Sequence, residues 1–184
     1  MNSSNVSFGK PKATGAVYVA PANTALPTDA TTALAAAYVN LGYISEDGLV
    51  DNVETDTTDI TAWGGDVVLS GQSSFAETFT VNLLETNENT LKVIYGEDNV
   101  TVDSQTGAIT VRQTAQPLDE CVVVFETVLT GNRIKRIVVP RAQIVDRSGE
   151  ISYTDGDAII YPAQFKAYPS ATGEYHTEYI ATAG

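Results

Sequence analysis

Between residues 13 and 91 the chain carries eleven acidic residues and not one Lys or Arg, although the same segment holds enough apolar and β-branched residues to build strands. Acids alternating with Thr, Val and Ile suit extended ribbons that have little apolar surface of their own. The ribbon at residues 49–61, with Asp51, Glu54, Asp56 and Asp59, therefore requires a neighbour to hold it. A surface of this kind repels polyanions at close range. The ten basic residues lie outside the window, and Arg133, Lys135, Arg136, Arg141 and Arg147 fall within fifteen positions of one another. Charge is thus polarised along the sequence.

With 184 residues, 43% of them hydrophobic, the chain can bury one sizeable core, which argues for a single domain over residues 1–184. A net charge of -13 argues against a protein that grips nucleic-acid phosphates, because that task needs clustered cations. Charged residues make up only 18% of the chain, so it is not of the highly charged, apolar-poor type that stays disordered. The single Cys121 excludes an intrachain disulfide framework and a cysteine-based zinc site; it reads as a small hydrophobe at the start of a buried strand. No run reaches the roughly 18 apolar residues that span a bilayer, and the N-terminal residues lack the apolar core of a secretory signal. No membrane partner and residence in a cytoplasm are the expectation.

Residues 1–40 read as an N-terminal arm, broken by Pro11, Pro21 and Pro27, with a strand-like piece only at 16–20. The Ala-rich stretch 32–40 has the composition for one or two helical turns that are marginal in isolation. Residues 49–66 read as a long extended loop in which Trp63 anchors beside Gly64 and Gly65. Residues 75–84 alternate cleanly, with Phe75, Glu77, Phe79, Val81 and Leu83 on one side and Ala76, Thr78, Thr80, Asn82 and Leu84 on the other. A helix is expected over 88–95, capped at Thr86 and Asn87, carrying Leu91, Ile94 and Tyr95 at helical spacing and stopped by Gly96. Hairpins follow at 100–102 with 108–112 and, with a stronger signal, at 122–130 with 133–139. Pro140 marks an edge or bulge. Further strands are expected near 143–146 and 158–168, and residues 170–184 form a C-terminal arm. The fold class is mainly β: a β-sandwich or barrel-forming sheets with one flanking α-helix, a long extended loop and two terminal arms.

The chemistry-bearing residues point away from an enzyme. His176 is the sole histidine and sits in the tail between Glu174 and Glu178, where a solvated side chain is expected. No nucleophile elbow, phosphate loop or zinc spacing appears, so no catalytic, cofactor-binding or metal-binding residue is assigned and no cofactor is expected. The runs Asp56/Asp59 and Asp155/Asp157 do not follow the spacing of an EF-hand and read as solvated turn acids. The cations from Arg133 to Arg147 alternate with Ile134, Ile137, Val138 and Val139, which places them on one strand face. They can meet acids of a neighbouring strand or of a second subunit, and acids in one half with cations in the other suit a head-to-tail interface. Solvated charge on a monomer is the alternative.

Five passages together resemble the major tail tube proteins of long, non-contractile bacteriophage tails. They are residues 27–34 leading into LGYISEDGL at 41–49, TDITAWGGDVV at 58–68, TVNLLETNENTLKVIYG at 80–96, and ISYTDGDAIIYPAQFKAYP at 151–169. They occur in the family's order and are spread over most of the chain, from residue 27 to residue 169.

The resemblance implies a structural virion protein whose subunits form hexameric rings that stack into a hollow tube. One sheet of each subunit would line the lumen, and DNA would pass through it without specific binding. The implied partners are copies of the chain itself, the tape measure and other tail proteins; the implied place is the virion tail, assembled in the bacterial host cytoplasm. Thr78, Thr80, Asn82 and Glu126 are the lumen candidates, with an outer solvent-facing sheet as the other placement. Asp51, Glu54, Asp56, Asp59 and Trp63 are the intersubunit loop candidates. Arg133, Lys135, Arg136, Arg141 and Arg147 are the basic intersubunit candidates. The competing reading is a monomeric β-sandwich module that binds carbohydrate or Ca²⁺.

Overall fold

A computed structural model describes residues 6–146 and 149–182. Among these, eleven strands run in chain order as β1 (Gly9–Pro11), β2 (Val17–Pro21), β3 (Val39–Asn40), β4 (Ile44–Thr61), β5 (Val67–Leu83), β6 (Val100–Val102), β7 (Ile109–Val111), β8 (Cys121–Leu129), β9 (Arg133–Asp146), β10 (Tyr161–Ala167) and β11 (Thr177–Thr182), with one α-helix, α1 (Glu88–Tyr95), after β5. Strand accounts for 50% of the described residues and helix for 6%, so the expected mainly β class holds. The helix has the expected bounds. Asn87 Oδ1 accepts from Thr90 N at 2.9 Å, Leu91 and Ile94 are buried, and the Gly96 N–H closes on Lys92 O with φ at 99°, a value glycine adopts without strain. The Ala-rich stretch at 32–40 forms turns and the short strand β3 instead of helix.

Nine strands join one antiparallel sheet in the order β3-β2-β8-β9-β10-β5-β4, with β1 also on β8 and β11 also on β9. β9 serves two neighbours. Its first half, 133–138, pairs with β11, and its second half, 142–146, pairs with β10. The change of partner falls at Pro140, where the β8–β9 register shifts between Val139 and Ala142. Proline cannot donate to the ladder, so a bulge is where a strand of this length tolerates it. β6 and β7 form a separate two-stranded hairpin.

The sheet folds over on itself. β5 stands three places from β8 in the order, which in a flat sheet would separate them by about 14 Å at a spacing of about 4.8 Å per strand. Yet the rings of Phe79 on β5 and Phe125 on β8 lie 5.3 Å apart. The enclosed face holds Phe79, Val81, Leu83, Val123, Phe125, Val139, Ala163 and Phe165, with Leu91 and Ile94 of α1 packed on it. Each such large apolar side chain stabilises the fold by about 1.5–3 kcal/mol. On the opposite face of β8 and β9 a smaller cluster of Ala20, Tyr38, Val122, Val124 and Val138 is covered by Leu34. The end strands β3 and β4 do not meet, and the sheet is not a closed barrel.

Candidate functional site

The alternation that buries the inner half of β5 stops at Phe75, and with it the support of the body. Every residue from 50 to 75 is exposed. This segment is nonetheless an antiparallel ladder, from Thr55 opposite Phe75 and Asp56 opposite Ser74 to Ile60 opposite Leu69, with a bulge between Asp56 and Thr57. Residues 49–66 are thus one strand and the tip of a β-hairpin whose free part, beyond Thr55 and Phe75, extends about 25–30 Å at the usual strand rise. At the tip Ala62 N donates to Asp66 O at 2.7 Å and Gly65 N to Ala62 O at 3.0 Å. Gly64 and Gly65 take φ of 124° and 97°, which leaves Trp63 pointing fully into solvent at 107% exposure.

A two-stranded ribbon is at best marginally stable alone in water. This one also carries Val53, Ile60, Val67, Val68 and Leu69 in the open, and Ile60 and Leu69 face each other across it. Exposed apolar side chains on a polar projection mark an interaction surface. β4 is moreover the end of the sheet, so its outer row of N–H and C=O groups has no strand partner within the described residues and can template pairing with another chain. Asp51, Glu54, Asp56, Asp59 and Trp63 all lie on this hairpin.

Thr78, Thr80 and Asn82 share the face of β5 that points away from the core. Thr78 is opposite Lys166 and Asn52, and Thr80 is opposite Gln164 and Val50. Asn82 Nδ2 donates to Asp47 Oδ2 at 3.1 Å. The surface is a strip of neutral hydrogen-bonding groups, with Lys166 as its cation and Asp47 and Glu54 as neighbouring acids. Glu126 is elsewhere. It is 1% exposed on the other arm of the folded sheet, paired with Arg136 and, at 2.7 Å, with Lys12 Nζ.

The basic stretch is largely engaged within the chain. Arg136 is buried against Glu126. Lys135 Nζ meets Glu178 Oε1 at 2.5 Å, and Arg141 forks onto both oxygens of Glu120 at 3.0 and 2.8 Å. Arg133 donates to Ser7 Oγ and Thr130 O. Arg147 lies outside the described residues. The single cationic face expected from sequence does not form: adjacent strand residues point to opposite faces, so Arg136 shares a side with Val138 while Lys135 shares the other with Ile137 and Val139, and the acidic counterparts are on β8, on β11 and on the residue just before β8.

His176 is not a solvated tail residue. The segment before β11 folds back over the base of the hairpin, where the Tyr175 ring lies 4.5 Å from that of Phe75 and the His176 ring meets Phe79 edge-on at 5.6 Å. His176 Nδ1 lies 2.8 Å from Oε1 of Glu77, an acid buried to 1% exposure inside the apolar face of β5. Burial raises the Glu77 carboxyl above its ordinary range, with His176 opposing the shift and Asp51 reinforcing it. A charged residue on the apolar side of an alternating strand was the sequence signal for this site. Cys121, by contrast, is inert: burial, aided by the charge of Glu120, pushes its thiol up to about 12.

Residues 2–183 match the family model described as "Phage tail tube protein". No curated protein matches the sequence.

Proposed function

Because the chain belongs to the phage tail tube protein family, we propose that it polymerises as hexameric rings stacked into the tube of a long, non-contractile tail. The family is a structural one, of the virion tail, and the proposed role is mechanical, not enzymatic. The observation that carries the reading is the projecting hairpin. A ribbon this long, exposed along its whole free length and tipped by a solvated Trp63, gains its stability from a surface outside the subunit. Glu54, Asp56, Asp59 and Trp63 reach a neighbouring subunit or the next ring, and the open edge of β4 continues the sheet into the next copy.

The half-sheet of β9, β10, β5 and β4 turns Thr78, Thr80 and Asn82 toward the lumen. DNA carries about one negative charge per 1.7 Å of its axis, so a basic lining would hold it by counterion release. A neutral to acidic lining lets it pass without adhesion. Assembly takes place in the host cytoplasm around the tape measure, with other tail proteins at the ends. Negative-stain electron microscopy of the concentrated protein tests the reading: rings or tubes are expected, and a monomer that persists across salt and concentration refutes it.

A further inference from the structure

We propose that Asp51, Glu77 and His176 bind a divalent first-row transition-metal ion of the Zn²⁺ class, which clasps the C-terminal segment to the base of the hairpin. One ligand atom from each of the three lies within 4.8 Å of the others. They come from three separated stretches of chain: Asp51 on β4, Glu77 on β5 and His176 just before β11. Asp51 and Glu77 share a face of the hairpin base, because Asp51 pairs with Phe79 and Val53 with Glu77 in the ladder.

The second observation is on Glu77 itself. Its carboxylate is 2% exposed; Oε1 faces His176, while Oε2 is buried with no hydrogen-bond partner. Buried polar oxygens are nearly always satisfied, and an unpaired one beside another carboxylate is a costly arrangement. A dication removes both costs. It supplies the missing partner and offsets the repulsion between the two acids.

The donor set selects the ion. Imidazole nitrogen with carboxylate oxygens suits Zn²⁺ and its first-row neighbours at about 2.0–2.2 Å per bond, so the ion would replace the direct contact between His176 Nδ1 and Glu77 Oε1. Ca²⁺ prefers six to eight oxygens and Mg²⁺ retains its waters, so neither is favoured here. Asp51 is on the exposed side, leaving a coordination position open to water. His176 Nε2 lies 3.9 Å from Glu178 Oε1, beyond hydrogen-bond distance but near enough for the acid's charge to favour a ligating imidazole. Lys135 holds Glu178 in turn.

The inference rests on the geometry of one subunit and not on tube formation, so it is tested on dissociated full-length chain. ZnCl₂ titrated into chelator-treated protein should bind at one ion per chain by calorimetry and raise Tm. Asp51→Asn, at an exposed position that leaves the core intact, and His176→Gln should each weaken binding by about tenfold or more and abolish the Tm rise. CaCl₂ should produce neither effect at the same concentration. Absence of saturable Zn²⁺ binding overturns the proposal, as does binding that both variants retain at wild-type affinity.

Discussion

Arg136 Nε donates to Glu126 Oε1 at 2.8 Å, and the two side chains, each 1% exposed, sit directly opposite one another on β9 and β8. Nη2 also donates to Glu126 Oε1 and, at 2.9 Å, to Thr32 O, while Nη1 donates to Asp29 O at 2.7 Å. One buried cation therefore fastens the proline-broken N-terminal segment across the sheet. The loop it holds is itself preformed, because hydrogen bonds from Thr32 and Thr31 draw the Asp29 carboxyl down to about 2.

Removing Arg136 leaves the buried Glu126 carboxylate with Lys12 as its remaining cation and two unmet carbonyls. Arg136→Met should destabilise the subunit by about 3 kcal/mol in urea denaturation, the lower end of the cost of breaking a buried pair, because Lys12 still faces Glu126. The double change Arg136→Met with Glu126→Leu should recover a large part of that loss, since packed apolar groups can replace a buried ion pair. A double variant no more stable than the single one would contradict the account.

Glu77 gives a pH dependence of definite sign. Its folded-state carboxyl is raised above 4.5, first by burial and further by Asp51 and Glu178, against the lowering effect of His176. In the window just above 4.5 the native state thus holds a proton that the unfolded chain releases. That contribution is complete below 4.5 and is lost as pH rises through the folded value. Glu77→Gln, neutral at every pH, should gain stability relative to the wild type as pH rises through this window. Paired Tm measurements in the presence of a chelator read the difference; a gap that narrows with rising pH excludes the mechanism.

Alternation was readable wherever one face of a strand meets a continuous core. Phe79, Val81 and Leu83 announced β5, and the cap at Asn87 with Gly96 announced α1, because those signals are local. Residues 49–61 showed only that they needed a neighbour. The strand that pairs with them includes Ser70, Gly71, Gln72, Ser73 and Ser74, residues with poor strand preference; the ladder there rests on backbone bonds and on what covers the ribbon. The acids facing Lys135 and Arg136 were also invisible as partners, since Glu126 and Glu178 approach them only through strand register. His176 looked solvated for the same reason: nothing near it in sequence foretells Glu77 and Phe79.

The division between body and projection predicts separable variants. Replacing residues 57–73 with Asn-Gly joins Asp56 to Ser74, an opposite pair in the ladder, by a two-residue turn of the type hairpins favour. Circular dichroism and Tm should remain close to those of the intact chain, because every residue removed is exposed. Ring and tube formation should disappear in negative stain. Tubes of normal length from this variant would remove the hairpin from the assembly contacts.

Lumen chemistry is tested by reversing its charge. Thr78→Lys, Thr80→Lys and Asn82→Lys lie on the half-exposed face of β5, where substitutions usually change stability by about 0.5 kcal/mol or less each. Tubes of the triple variant should still assemble, yet retain short fluorescent duplex DNA at low salt while wild-type tubes do not. Retention should fall steeply as salt is raised, because each phosphate contact releases counterions. If these strands instead face outward, the added lysines will bind DNA on the outer wall, where nuclease digests it; protection from nuclease inside the tube is the result that places Thr78, Thr80 and Asn82 in the lumen.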